Sequence, residues 1–222
     1  MRSVYKHIDA GFIITLLLCA FTLIPLLKSG LPQGYDVLYH VYRVAEMDRS
    51  WQAGVYMPRW ASSFYFGYGY PVFHYYASST YYLTSILIAL TGISAMNALR
   101  IVIALSLTGS GGGMYLFTRE RYGKTGAILA ALVYVYSPYI IYTEPYSRGD
   151  YPELLAFSLI PWILWCFERL TIPTESSLQR VSNVILASSS LALLIITHNL
   201  MAIVFFGMLA GWLCWLRLTR LI

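Results

Sequence analysis

The stretch Ala77–Ile93, ASSTYYLTSILIALTGI, decides how the rest of the chain is threaded. Its apolar core is only about half of the roughly 20 residues that a bilayer crossing needs, and the rest is Ser, Thr and Tyr. If it crosses a membrane, everything C-terminal to it changes side. Just upstream, and overlapping it, runs Arg59–Leu83, RWASSFYFGYGYPVFHYYASSTYYL. This segment is crowded with Tyr and Phe, broken by Gly67, Gly69 and Pro71, and free of formal charge after Arg59. It alternates too poorly for a strand and is interrupted too often for a helix.

The wider composition supplies the setting. Of 222 residues, 58% are hydrophobic and 11% charged, with a mean hydropathy of +0.61. Soluble domains carry about a quarter charged residues, so this chain belongs to the membrane class. The net charge of +5 is then a matter of sidedness and not a sign of nucleic-acid binding, because the basic residues sit in short loops between apolar runs. Cys19, Cys166 and Cys214 each lie inside an apolar run, without metal-ligand or disulfide spacing. Arg2 and Lys6 precede an apolar run that lacks an A-x-A exit, so the run reads as an uncleaved first helix.

Apolar runs of near-bilayer length cover Gly11–Leu27, Ile101–Phe117, Thr125–Thr143, Leu154–Phe167, Val181–Thr197 and Leu200–Leu216. The expected fold is all-α: a polytopic transmembrane helix bundle of about six spans. Its long first outer loop, residues 28–94, would carry juxtamembrane helices at Tyr35–Gly54 and Ala77–Ile93. Loop charge tests the threading. With six spans and a cytoplasmic N-terminus, Arg2, Lys6, Arg119, Arg121, Lys124, Arg169, Arg180, Arg217 and Arg220 lie inside. The smaller set Lys28, Arg43, Arg49, Arg59, Arg100 and Arg148 lies outside, as the positive-inside rule asks. Letting Ala77–Ile93 cross from the same start reverses the bias. A seven-span arrangement with the N-terminus outside also satisfies the count, but it puts Arg2 and Lys6 outside and makes the short run span.

The six-span arrangement gathers Asp36, His40, Arg43, Arg148, Asp150, Glu153 and His198 on one face. Polar groups gathered at one end of a bundle point to function. In YDVLYHVYR, Asp36, His40 and Arg43 share a helical stripe, which suits a carboxylate base, an assisting histidine and a phosphate-binding arginine. The competing reading is the wet face of an interfacial helix. In YSRGDYPELL, Pro152 and Glu153 suit a helix start, while Arg148 lies where the positive-inside rule disfavours it. His198 and Asn199 in IITHNLMA suit a tight interhelical turn, or a histidine that binds substrate. LTGSGGGMYL lacks the Lys-Ser/Thr of a phosphate loop and reads as a close-packing face through Gly109 and Gly113. The aromatic stretch suits an interfacial belt, and equally a platform for sugar rings.

D-x-x-x-H-x-x-R after a first span, then PRW…FGYGYPVFHYY, YSRGxxxE and THNL, resembles a group of bacterial membrane proteins termed 6-pyruvoyl-tetrahydropterin synthase-related. These are similar in turn to GT-C type glycosyltransferases that use polyprenyl-phosphate sugars. The pterin term is nominal here, because no three-histidine zinc site is visible. The resemblance implies a multi-pass protein of the cell inner or plasma membrane that transfers sugar from a polyprenyl-phosphate donor to a saccharide or protein acceptor. By that resemblance Asp36, His40 and Glu153 are catalytic, with Asp36 taking the acceptor proton or holding a divalent cation. Arg43, Arg59, Trp60, Tyr68, Tyr70, Arg148, His198 and Asn199 would bind substrate. GT-C enzymes are longer, so residues 1–222 would form a single membrane domain, the N-terminal module of a longer protein. The alternatives are a carrier or flippase for lipid-linked saccharides that uses the same mouth without chemistry, and a structural envelope subunit.

Overall fold

In the computed structural model, residues 9–28, 30–172 and 176–219 are described. The expectations for Arg2, Lys6 and Arg220 lie outside them. Helix α1, Ala10–Ala20, starts where the Asp9 carboxylate accepts from the amides of Gly11 and Phe12, and it tightens into a 3-10 helix over Phe21–Leu27. Then come α2 (Val37–Gln52), the short α3 (Val72–Tyr75), α4 (Ser79–Thr91) and α5 (Ala95–Val135). A π-helical segment, Tyr139–Arg148, leads into α6 (Tyr151–Leu170), α7 (Ser177–Thr197) and α8 (Asn199–Thr219). Among the described residues there is no strand, only an isolated bridge between Ala61 and Tyr70.

Helix α5 is not straight. Gly123 breaks it with φ 70° and ψ −175°, a conformation open essentially to glycine alone. A Cβ placed on Gly111 would lie 3.5 Å from Val135, so residues equally far before and after Gly123 touch and the chain doubles back there. The Gly109–Gly113 run lets the first arm of this hairpin meet neighbours on two sides. Gly109 and Gly113 face Ser158 and Trp162 of α6, and the Trp162 indole donates to the Gly109 carbonyl at 2.8 Å. Gly111 and Gly112 face Cys19, Phe12 and Leu16 of α1. This is close helix packing through small residues, as the sequence suggested.

Beside an apolar core, the burial pattern departs from that of a water-soluble protein, with hydroxyls inside and many large apolar side chains outside. Thr15, Thr22, Thr80, Thr84, Ser85, Ser106 and Ser110 are buried, while Leu17, Leu27, Leu90, Val133, Ile203 and Met208 are exposed. Several buried hydroxyls return to their own helix, as Thr84 does to the Thr80 carbonyl at 2.7 Å. In lipid, apolar side chains need no shelter and polar ones do. Among the described residues, four helical stretches are long and apolar enough to cross a membrane: Ala10–Leu27, Ala95–Arg148, Ser177–Thr197 and Asn199–Thr219. The second is the hairpin, so it supplies two arms. Helix α6 has 20 residues but carries Glu153, Glu168 and Arg169 near its ends. Helix α4 has 13, a length of about 20 Å, well short of a hydrocarbon core of about 30 Å.

Polar groups collect at both ends of the bundle. At one end, Asp9 takes bonds from the Tyr115 hydroxyl at 2.5 Å and Arg119 at 3.0 Å, with Lys124 at 3.3 Å. These partners outweigh burial and hold its carboxyl well below the usual range. Arg121 pairs with Glu168 at the same end. The other end holds the first loop. Its aromatic segment is fixed by Glu46, a buried carboxylate of α2, which accepts from Ser62 Oγ (3.1 Å), Ser63 N (3.2 Å) and Ser63 Oγ (2.5 Å). Ala61 and Tyr70 exchange backbone bonds of 2.8 and 3.0 Å across the neck, and Trp60 lies over Gly69. The tip turns through Tyr65 and Phe66 at φ 51° and 61°, which puts the Phe66 ring fully into the open.

Candidate functional site

The second polar end is organised by the junction between the π-helical segment and α6. Pro145 lacks an amide hydrogen, and the wider turn ends with Gly149 N donating to the Glu144 carbonyl at 2.8 Å. Gly149 then reverses the chain at φ 80°, and a Cβ there would stand 2.4 Å from Val37 Cγ2. That vacancy lets the first loop dock. The amides of Tyr35 and Asp36 donate to the carbonyls of Ser147 (3.3 Å) and Arg148 (2.8 Å). Asp150 caps α6 by accepting from Glu153 N at 3.2 Å, with Pro152 in the first turn. Helix-start chemistry is therefore present, yet the Glu153 carboxylate turns inward to a further role.

Arg148 is the hub. Its Nη1 donates to Glu153 Oε2 (2.8 Å), Glu144 Oε1 (3.2 Å) and the Tyr139 hydroxyl (3.2 Å). Its Nη2 donates to Asp150 Oδ2 (3.2 Å), and its Nε lies 3.8 Å from Asp36 Oδ2. Tyr139 in turn donates to Glu153 Oε1 at 2.9 Å. Four carboxylates thus surround one guanidinium, and Glu144, Asp150 and Glu153 are all buried. A buried charge in excess of its partners is costly, so such a group favours its protonated form. Burial accordingly pushes the Asp150 carboxyl up, against the Glu153 amide, His198 and Arg148. Asp36 differs: its side chain is 38% exposed and points a carboxylate toward the rim.

Two histidines flank the acids. His198 stands between α7 and α8 with Nε2 at 3.7 Å from Glu153 Oε2 and 3.9 Å from Asp150 Oδ2. Its Nδ1 accepts from the Met201 amide at 3.1 Å, so the neutral ring carries its proton on Nε2, facing the acids. His40 is 1% exposed, which overturns the reading of this α2 stripe as a wet interfacial face. The outward face of α2 is instead Leu38, Tyr39 and Tyr42. His40 Nδ1 shares a 2.9 Å hydrogen bond with the Tyr81 hydroxyl, and Nε2 stands unbonded, 3.8 Å from Asp150 Oδ1. Burial, helped by Arg43, Arg148 and His198, holds the imidazole down at about 3, so it is neutral. Arg43 Nη1 donates to the same Tyr81 hydroxyl at 2.9 Å, and the guanidinium lies over the Tyr76 ring, 4.1 Å from its centroid.

Donor atoms of Asp150, Glu153 and His198 lie within 4.8 Å of one another, a spacing that could enclose a cation. The donor set does not fit a divalent metal as it stands. His198 presents a proton and not a lone pair, and both carboxylates already accept from Arg148. Beside the cluster, an apolar groove of about 710 Å³ opens between the first loop, α2 and the π-helical segment. Leu31, Val37, Leu38, Val41, Met96 and Tyr146 line it, next to Asp36.

The structure thus brings together Asp36, His40, Arg43, Arg148, Glu153 and His198. Asn199 is turned away: it donates to the Tyr75 carbonyl at 3.4 Å and so holds α8 to the aromatic segment. Arg59, Trp60 and Tyr68 lie exposed on the aromatic loop, and Tyr70 packs between a tilted Tyr65 and an edge-on Tyr75. Sequence reasoning missed Glu144, Tyr81 and Tyr139. Glu144 had a usable signal, an acid at the very end of an apolar run four residues before Arg148. Tyr81 had none, since nothing distinguishes it from its neighbouring tyrosines.

Residues 73–222 match the 6-pyruvoyl-tetrahydropterin synthase related domain, a membrane protein. Comparison with the curated proteins and with the solved structures finds no match.

Proposed function

The chain belongs to the 6-pyruvoyl-tetrahydropterin synthase related family of membrane proteins, and on that footing we propose that the Arg148 cluster is the active centre of a membrane-embedded glycosyltransferase of GT-C type. The observation that carries this reading is the convergence of four carboxylates on one guanidinium, beside two histidines, at one end of a lipid-facing bundle. The bundle is read as crossing the membrane six times from a cytoplasmic N-terminus, with α4 lying short of a crossing and the cluster on the outer face of the cell inner membrane.

In this reading the donor is a polyprenyl-phosphate sugar and the acceptor a saccharide or protein hydroxyl. The acceptor oxygen attacks the anomeric carbon, the bond from that carbon to the phosphate oxygen breaks, and the electron pair leaves on the phosphate. Asp36 takes the acceptor proton. It is the most exposed of the four carboxylates, whereas Glu144, Asp150 and Glu153 are buried and hydrogen-bonded. Arg148 and the Nε2 proton of His198 hold the buried acids in place. The apolar groove beside Asp36 supports delivery of a substrate from the bilayer.

The test is sugar transfer by the full chain in nanodiscs, wild type against Asp36→Asn, which keeps shape and removes charge. Loss of a general base predicts a rate lower by about 10²–10⁴. Full transfer by the variant removes Asp36 from the mechanism.

A further inference from the structure

The two arginines nearest the acids are in opposite electrostatic states. Arg148 is spent: Nη1, Nη2 and Nε all face carboxylates. Arg43 is not. Among the described residues no carboxylate lies within ion-pair distance of it, although it is half-buried. Its contacts are the Tyr81 hydroxyl, reached by Nη1, and Tyr76, whose ring centroid lies 4.1 Å from Cζ and whose hydroxyl also bonds it. A guanidinium carries five N–H donors, so two tyrosine hydroxyls leave others available. A half-buried guanidinium without a counter-ion is costly to keep, and its planar fork matches phosphate oxygens. Tyr81 fixes its position by bonding both Arg43 and the buried His40.

We propose that Arg43, held by Tyr76 and Tyr81, is an anion site that takes the phosphate of the substrate, and that Arg148 is a structural cation. This rests on the transferase reading for its role but not for its existence. The placement also suits the displacement. Asp36 and Arg43 are two helical turns apart on one stripe of α2, about 10 Å along the axis. Carboxylate to acceptor oxygen, to anomeric carbon, to leaving oxygen, to guanidinium spans about 10 Å as well, if each approach is at hydrogen-bond or near-attack distance. Base and leaving-group cation would then stand on opposite sides of the reacting carbon.

Equilibrium binding tests this without any chemistry. The full chain, in phosphatidylcholine nanodiscs, is titrated with a short polyprenyl phosphate, the matching dephosphorylated alcohol and inorganic phosphate. The expected result is that Arg43→Gln weakens polyprenyl phosphate at least tenfold and leaves the alcohol unchanged. Arg43→Lys and Tyr81→Phe, which keep the charge but lose the fork or its support, fall between. If inorganic phosphate competes, the site reads the phosphate itself; if it does not, the lipid chain is required as well. Should Arg43→Gln fail to fold, the Lys variant decides, because unchanged affinity there means that the fork contributes nothing. Equal binding of phosphate and alcohol by the wild type, or undiminished phosphate binding by the variants, overturns the site. Arg43-dependent binding without any sugar transfer keeps the site and removes the transferase reading.

Discussion

Arg148 Nη1 lies 2.8 Å from Glu153 Oε2, which ties the end of the π-helical segment to the first turn of α6 across Gly149. The same nitrogen reaches the fully buried Glu144 at 3.2 Å. Removing it strands buried carboxylates. Arg148→Ala is expected to destabilise the protein by about 3–5 kcal/mol, the usual cost of breaking a buried pair from one side. Adding Glu144→Gln should return part of that loss. Thermal unfolding in detergent would check both, and full additivity of the two changes would show that the residues are not coupled.

The aromatic loop depends on Glu46. Glu46→Gln keeps size but turns one acceptor into a donor, which faces either Ser62 Oγ and the Ser63 amide at the Oε1 position or the Ser63 hydroxyl at the Oε2 position. The expected cost is about 1–3 kcal/mol, felt locally. Hydrogen exchange over residues 55–70 should rise while α5 and α6 stay protected. Unchanged exchange there would mean that the bridge at Ala61 and Tyr70 alone holds the loop.

Much of this arrangement was legible in the sequence, for identifiable reasons. Apolar length located the helices, and loop charge argued that Ala77–Ile93 stops short, which agrees with the 13 residues of α4. The Asp36, His40 and Arg43 stripe was readable because helical periodicity is local. What could not be read is long-range. Glu46 meets Ser62 and Ser63 only because the loop folds back, and Tyr81 joins His40 to Arg43 across about forty residues of chain. The saturation of Arg148 was hidden for the same reason: Asp36, Asp150 and Glu153 were visible, but not that they and Glu144 would all reach one guanidinium.

Glycine positions in α5 separate packing from propensity. At Gly113 a Cβ would stand 2.6 Å from Trp162 Cδ1, and that ring is held by its bond to the Gly109 carbonyl. Gly113→Ala should cost about 1–3 kcal/mol through overpacking. Gly207 in α8 has nothing within 4 Å of its Cβ position, so Gly207→Ala should be neutral or stabilising. Equal melting shifts for the two would remove the close-packing account.

His40 gives a pH signature. Its imidazole is held at about 3 in the folded protein by burial, against an ordinary 6.5. The unfolded chain therefore binds a proton that the folded one refuses between those values. Stability from this group is complete above pH 6.5 and declines as pH falls toward 3, by up to about 1.4 kcal/mol per unit. Asp150, raised by burial, acts in the opposite sense, so the comparison must be with His40→Gln. The difference in melting temperature between wild type and variant should shrink on acidification, and a difference independent of pH from 7 to 4.5 would contradict the buried neutral ring.

Sidedness follows from the two polar ends. In a cysteine-free background, Cys placed at Phe66 and at Tyr122, both exposed, should react with an impermeant thiol reagent from opposite sides of sealed vesicles. Labelling of both from one side would put the aromatic loop and the Gly123 turn on the same surface.

That turn constrains how the two arms can move. One residue connects the two arms of α5, and the segment around it, Arg119 to Lys124, is the most heavily charged part of the hairpin. So short a connection couples the arms: a shift of either is carried to the other at Gly123, and through the Gly109–Gly113 contacts onward to α1 and α6. The second arm leads directly into the segment that ends at Arg148, so a disturbance of the charged turn has a continuous packed route to the opposite end of the bundle.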